Sequence, residues 1–112
     1  MSIAGDLIRG HTDTIILARL MLRDSYGYEI NKTVTQLSGG KLELKEATLY
    51  TAFKRLEEAG AVLSYWGDEN TGARRKYYQI TEAGKELYRR LYGEWQHTKA
   101  IIDKLLAEEI EL

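Results

Sequence analysis

Glu46-Ala47-Thr48-Leu49-Tyr50-Thr51-Ala52-Phe53-Lys54-Arg55-Leu56-Glu57-Glu58-Ala59-Gly60 is the stretch on which the reading of this chain turns. Leu49, Ala52, Phe53, Leu56 and Ala59 recur three and four residues apart, the spacing of one apolar stripe on an α-helix. The opposite side carries Thr48, Thr51, Lys54 and Arg55, with Tyr50 beside them. Short hydroxyl donors, an aromatic ring and two cations suit the major groove of DNA. Thr and Tyr reach phosphates or base edges there, and Lys and Arg meet phosphates or guanine. Taken alone, the same face also fits an ordinary solvated helix, so the sequence on either side has to decide.

Upstream, Thr12 or Asp13 serves as the expected N-cap of a helix running to about Arg23. Its residues Ile15, Ile16, Leu17, Ala18, Leu20, Met21 and Leu22 are apolar nearly all round, which sets the helix in the core, or between the core and a subunit interface. Before it, Asp6-Leu7-Ile8-Arg9 has the makings of one helical turn, weakened by Gly5 and Gly10. Asp24-Ser25-Tyr26-Gly27 reads as a turn, followed by a second helix from about Gly27 to Ser38 with Ile30, Val34 and Leu37 on one face. Gly39-Gly40 ends that helix, because glycine enters the left-handed region without a Cβ clash. Lys41-Leu42-Glu43-Leu44-Lys45 alternates apolar and charged residues and predicts a short strand. Two short helices before a third, polar-faced one follow the helix-turn-helix plan.

Downstream of Gly60 the period changes. Ala61-Val62-Leu63-Ser64-Tyr65-Trp66 and Arg75-Lys76-Tyr77-Tyr78-Gln79-Ile80 are rich in β-branched and aromatic residues, and the turn formers Gly67-Asp68-Glu69-Asn70-Thr71-Gly72-Ala73 lie between them. This predicts a β-hairpin with a mobile tip, in which some of Tyr65, Trp66, Tyr77 and Tyr78 cover the core. Arg74, Arg75 and Lys76 sit together just past the tip. A run of charge is often only a solvated face, but this one follows a candidate recognition helix, where a winged helix places its phosphate contact. Thr81 then caps a last helix, with Glu82 and Glu86 at the positive end of its dipole. Leu87, Leu91, Trp95, Thr98, Ile102 and Leu105 carry its pattern to about Ala107. A helix of that reach, about 39 Å at 1.5 Å per residue, outruns the body available to cover it. Its distal half is therefore expected to pack against a second copy in a symmetric dimer. Gly93 inside it costs about 1 kcal/mol against Ala, which a close helix approach or a need for flexibility would explain.

The whole chain, 112 residues with 44% hydrophobic and 29% charged, is one domain's worth of soluble globular protein. It has neither an apolar run long enough to span a membrane nor the pattern of a signal peptide at its start, so a cytoplasmic location is expected. It lacks cysteine, which removes disulfides and thiolate chemistry together. It also lacks proline, so its turns fall to Gly, Asn, Asp and Ser. The net charge of -1 does not describe indiscriminate binding to nucleic acid. From Ile101 onward, however, Asp103, Glu108, Glu109 and Glu111 oppose a single Lys104, and the remainder of the chain stands at +2. The field that matters to DNA is local.

Ala47-Thr48-Leu49-Tyr50, Lys54-Arg55-Leu56-Glu57-Glu58-Ala59-Gly60 and Gly72-Ala73-Arg74-Arg75-Lys76-Tyr77-Tyr78-Gln79-Ile80-Thr81-Glu82-Ala83-Gly84 together resemble the PadR family of bacterial transcriptional regulators, as does Tyr26-Gly27-Tyr28-Glu29-Ile30 at the turn into the second helix. The resemblance covers roughly residues 9 to 106 and is nearest to the short multidrug-sensing branch, which has one C-terminal helix with a tryptophan in its middle, here Trp95. It implies a mainly α winged helix-turn-helix with a small β-hairpin and a long C-terminal dimerisation helix. Residues 1–81 would form the DNA-binding part, and 82–112 the dimerisation helix and acidic tail. The DNA contacts it implies are Lys45, Thr48, Tyr50, Thr51, Lys54 and Arg55 from the helix, and Arg74, Arg75 and Lys76 from the wing. In such relatives the C-terminal and first helices of a homodimer enclose a flat pore, and planar aromatic drugs slide between the paired tryptophans. Here Trp95, Asp6, Leu7, Thr14, Ile15, Glu94 and Lys99 would line it. Two indoles facing across a two-fold axis can stack both faces of a planar ligand; equally, Trp95 would serve as plain interface packing. The chain departs from the family at Thr51, where many members have proline, and at Ala73, where an arginine is common. Lys99 is a poor neighbour for a cationic drug, with Glu94, Asp103 and Asp6 as the acids that would offset it.

The expected function is thus a ligand-responsive repressor that binds a palindromic double-stranded operator as a homodimer, with no cofactor, no metal and no membrane partner. His11 and His97 are the only histidines, and the chain contains neither a Gly-rich phosphate loop nor a His-Glu-x-x-His pairing, so catalysis is not expected. The alternative from another class is a winged helix used only as a protein-interaction module.

Overall fold

The computed structural model describes residues 5–68 and 74–107. The expected hairpin tip over residues 69–73, with Gly72 and Ala73, and the acids Glu108, Glu109 and Glu111 lie outside the described residues. The elements run α1 (Gly5–Ile8), α2 (Thr12–Leu22), β1 (Ser25–Tyr26), α3 (Gly27–Leu37), α4 (Glu46–Glu58), β2 (Val62–Trp66), β3 (Lys76–Ile80) and α5 (Glu82–Leu106). The architecture is a winged helix-turn-helix: α2, α3 and α4 pack on a small antiparallel sheet, and α5 leaves the body as one long helix.

Each helix of the head buries most of the stripe its spacing dictates, the exception in α3 being Leu37, which lies 70% exposed at the last position of the helix. Ile16, Leu17 and Leu20 of α2, Ile30 and Val34 of α3, and Leu49, Ala52, Phe53 and Leu56 of α4 meet Leu44, Ala61, Val62 and Tyr78 in one core. Ala59 does not join them, because the helix has already ended there and the residue is exposed at its C-cap. Glycines close two helices, at Gly39-Gly40 as expected and again at Gly60. Gly39 (φ +65°) sits between Gly39 N–H to Gln36 O and Gly40 N–H to Thr35 O, at 3.1 and 2.8 Å. Gly60 (φ +75°) repeats the arrangement with Glu57 and, through Ala61 N–H, Leu56.

Three expectations are corrected. The N-cap of α2 is His11, not Thr12 or Asp13: His11 O accepts the first bond of the helix, from Ile15 N–H at 3.0 Å, so the helix starts one residue early and leaves Thr12 buried in its first turn. Lys41 to Lys45 is extended but joins no sheet. The side-chain amide of Asn31 takes the place of a partner strand, donating to Leu44 O at 2.8 Å and accepting from Leu44 N–H at 2.9 Å. Conversely, the Asp24–Gly27 turn contains a strand. Ser25 and Tyr26 pair with Tyr78 and Tyr77, so the sheet has three strands in the order β1-β3-β2.

Pairing of β2 with β3 sets Tyr65 opposite Tyr77 and Ser64 opposite Tyr78. Only Tyr78 among the hairpin aromatics enters the core, where its ring stacks on Phe53 at 3.9 Å and 5°. Burial pushes its phenol pKa up, with Glu57 and Tyr50 adding to the rise. Tyr26, Tyr77 and Tyr65 form a row of ring contacts across the other face of the sheet, at 5.3 and 5.7 Å.

The start of α5 is welded to the head. The Thr81 hydroxyl accepts from Gly84 N–H at 3.0 Å and donates to Gly60 O at 2.7 Å, while Thr81 N–H bonds Ala61 O at 3.0 Å. A Cβ on Gly84 would stand 2.0 Å from Ala61 O, so only glycine permits this approach. Leu87, Tyr88 and Leu91 pack on the core, but farther along Ile101, Ile102, Leu105 and Leu106 are exposed. That unburied row gives the chain its long axis of 60 Å against 31 and 21 Å.

Candidate nucleic-acid interface

Burial of Leu49, Ala52, Phe53 and Leu56 orients α4, and their positions fix which residues face outward. Lys45, Thr48, Thr51 and Lys54 are exposed, and Lys45 occupies the N-cap. Tyr50 is half exposed; its ring tilts on Phe53, and its hydroxyl would lie 3.0 Å from a Cβ at Gly27, so the glycine opening α3 makes room for this side chain. Thr48, Thr51 and Arg55, three and four apart, form one wall of a groove of about 880 Å³. Leu42, Glu43 and Lys45 line the same groove, as do Ile8, Arg9 and Asp13.

Arg55 is not a free cation. Its Nε donates to Asp13 Oδ2 at 3.1 Å and its Nη2 to Asp13 Oδ1, a two-point clamp from the start of α2. The hydrogen bonds, more than the charge alone, hold the guanidinium proton more firmly than in free arginine, against the opposing pull of burial. Asp13 as a partner of Arg55 was invisible in the sequence, because 42 residues separate the two and no periodicity links them.

The wing cations lie on aromatic rings of the sheet. The Arg74 guanidinium is 5.8 Å from the Trp66 ring, that of Arg75 is 4.8 Å from Tyr26, and Lys76 Nζ is 5.8 Å from Tyr78. A cation resting on a ring loses less freedom on meeting an anion than an unsupported side chain would. Tyr65 is pinned beside them, its hydroxyl donating to Asp24 at 2.5 Å, a bond that raises its pKa.

The residues expected to hold a ligand fall into two groups. Trp95, 39% exposed, meets His11 with ring centroids 5.0 Å apart at 73°, and Lys99 Nζ lies 6.0 Å from its ring. Thr14 and Ile15 are half-buried one turn along α2. Glu94 pairs with Arg90 at 3.9 Å. Asp6 and Leu7 are exposed on α1, where Asp6 pairs with Arg9 at 2.7 Å, and the α1 residues that line a groove do so against α4. His11 is the contact the sequence did not flag. Through it and Asp13, two residues apart, the first turn of α2 touches both Trp95 and the outward face of α4.

Among the described residues, no group of histidines, cysteines and carboxylates is placed to hold a metal, and no helix is long and apolar enough to cross a membrane. Residues 16–90 match the transcriptional regulator PadR-like family. The chain is 43% identical to an uncharacterized protein of Lysinibacillus sphaericus over 109 residues, 97% of this chain and 99% of that one. Its fold superposes on a transcriptional regulator from Clostridium thermocellum with a TM-score of 0.84 at 47% identity, covering 91% of this chain and 96% of the other. A PadR family transcription regulator from Clostridium difficile R20291 follows with a TM-score of 0.73 at 36% identity, covering 87% and 99%. An exposed polar helix face, a wing of ring-supported cations and these likenesses lead to one conclusion: the chain belongs to the PadR-like family, and is a DNA-binding transcriptional regulator, not an enzyme.

Proposed function

We propose that the protein is a cytoplasmic repressor that binds a palindromic operator as a homodimer and is controlled by a planar aromatic or drug-like ligand held between the two Trp95 side chains, as in the multidrug-sensing branch. Residues 1–81 act as the DNA-binding unit and 82–112 as the pairing segment. The observation that carries this reading is the exposed face of α4, Thr48, Thr51 and Lys54, alongside the cations Arg74, Arg75 and Lys76. The two α4 helices of a dimer enter successive major grooves about 34 Å apart, with Lys45, Tyr50 and the wings on flanking phosphates. Arg55 meets DNA only by sharing or leaving Asp13.

Exposed apolar side chains on distal α5 support the pairing, since Ile102, Leu105 and Leu106 find no cover among the described residues. In the ligand site, Asp6, Leu7, Thr14, Ile15, Glu94 and Lys99 surround Trp95 once the second copy is in place. Ligand insertion beside Trp95 moves His11 and with it the first turn of α2, which carries Asp13. Ligand thereby changes the population of head positions that fit the operator. A gel-shift titration against DNA upstream of the chain's own gene tests the proposal. The expected result is a retarded band at low salt, weakened in the triple variant Arg74→Ala, Arg75→Ala, Lys76→Ala, with a salt slope lower by about 3. No band, or a triple variant that keeps both affinity and slope, contradicts it.

A further inference from the structure

Resting on that reading of Trp95 as an effector platform, we infer that the effector it takes is a planar aromatic anion, and that Lys99 selects the charge. The Lys99 ammonium already occupies the cation position over the indole, 6.0 Å from the ring. A cationic ligand stacking there has to displace it and bear its repulsion, whereas an anionic one stacks and gains an ion pair. Of the three acids able to reverse this preference, two are otherwise engaged. Asp6 is bonded to Arg9 at 2.7 Å and Glu94 to Arg90 at 3.9 Å, so each arrives with its own counter-charge. Asp103, four residues beyond Lys99, forms no ion pair with it among the described residues; the lysine leans back toward Trp95, as helical side chains lean toward the N-terminus. His11 meets the indole with ring planes at 73° and brings no carboxylate. In a two-fold pair each copy supplies one Lys99, so a ligand between the indoles meets two ammonium groups.

The test uses two probes with one ring system and opposite charge, anthraquinone sulfonate and anthraquinone trimethylammonium, read by quenching of tryptophan fluorescence. The full-length Trp66→Phe protein serves as parent, which removes the wing indole from the signal. The sulfonate is expected to bind about tenfold tighter than the ammonium at low salt, with the gap narrowing as salt rises. Lys99→Gln is expected to erase the difference and Lys99→Glu to invert it. Equal or tighter binding of the cation by the parent overturns the charge assignment while leaving the aromatic site intact. A sulfonate preference that survives Lys99→Glu overturns the role of Lys99. Quenching by neither probe, or quenching that persists equally in Trp95→Ala, removes the effector platform itself and the charge preference with it.

Discussion

The head of the molecule and the distal half of α5 are built from the same element, an amphipathic helix, and differ in where the apolar stripe finds its partner. In the head, Phe53 of α4 is sealed by Tyr78 of β3, and the polar backbone at each junction is answered by Thr81, Asn31 or a glycine cap. On α5 the row continues past Trp95 through Ile102 and Leu105 with nothing opposite it among the described residues, and Leu105 is 71% exposed. Contiguous exposed apolar rows of this kind mark surfaces that meet a partner or a ligand. Burial thus belongs to the head, and the uncovered apolar row to the helix that leaves it.

The sharpest way to break the head is at the weld between the two regions. Gly84→Ala drives a Cβ into the Ala61 carbonyl, which is backbone and cannot swing aside, and is expected to cost about 3 kcal/mol or more in a urea titration. Next comes the opposite dissection. Ile102→Ser with Leu105→Ser touches nothing buried in the chain, so the head keeps its far-ultraviolet signal and its urea midpoint extrapolated to low concentration. The proposed dimer, measured by light scattering, is expected to weaken by about ten-thousandfold, about 1.5 kcal/mol being lost for each large side chain on each copy.

Gly93 sharpens the comparison further. Within one chain nothing lies within 4 Å of the Cβ it lacks, so Gly93→Ala is expected to stabilise by about 1 kcal/mol in urea if α5 stands open at that point. A loss instead would locate the partner helix directly against residue 93. The smallest effect is in the head and concerns pH. Tyr78 has a folded pKa raised above its usual 10.0, so its contribution is present below pH 10 and is lost as pH rises through the folded value. Tyr78→Phe is expected to move the midpoint of alkaline unfolding upward, measured by circular dichroism from neutral pH upward.

Most of the head was legible because local rules and tertiary outcome agree in it. The stripe of α4, the glycines at 39, 40 and 60, the Thr81 cap and the hairpin each rest on a few neighbouring residues. What escaped notice depends on residues far apart. Ser25 and Tyr26 look like turn formers and become a strand only because β3 lies beside them. Lys41 to Lys45 alternates like a strand, yet Asn31 occupies the backbone groups a ladder would use. At the candidate site the exposed threonines and Lys54 lie where periodicity put them, whereas the clamp on Arg55 and the His11 ring against Trp95 join elements with no shared pattern.

Sedimentation equilibrium at micromolar concentration measures the central claim most directly. A single species of twice the 12.8 kDa chain mass is expected, reduced to one chain mass by the Ile102→Ser, Leu105→Ser pair. A parent protein that sediments as one chain mass would contradict it, and with it both the paired heads and the shared Trp95 cavity.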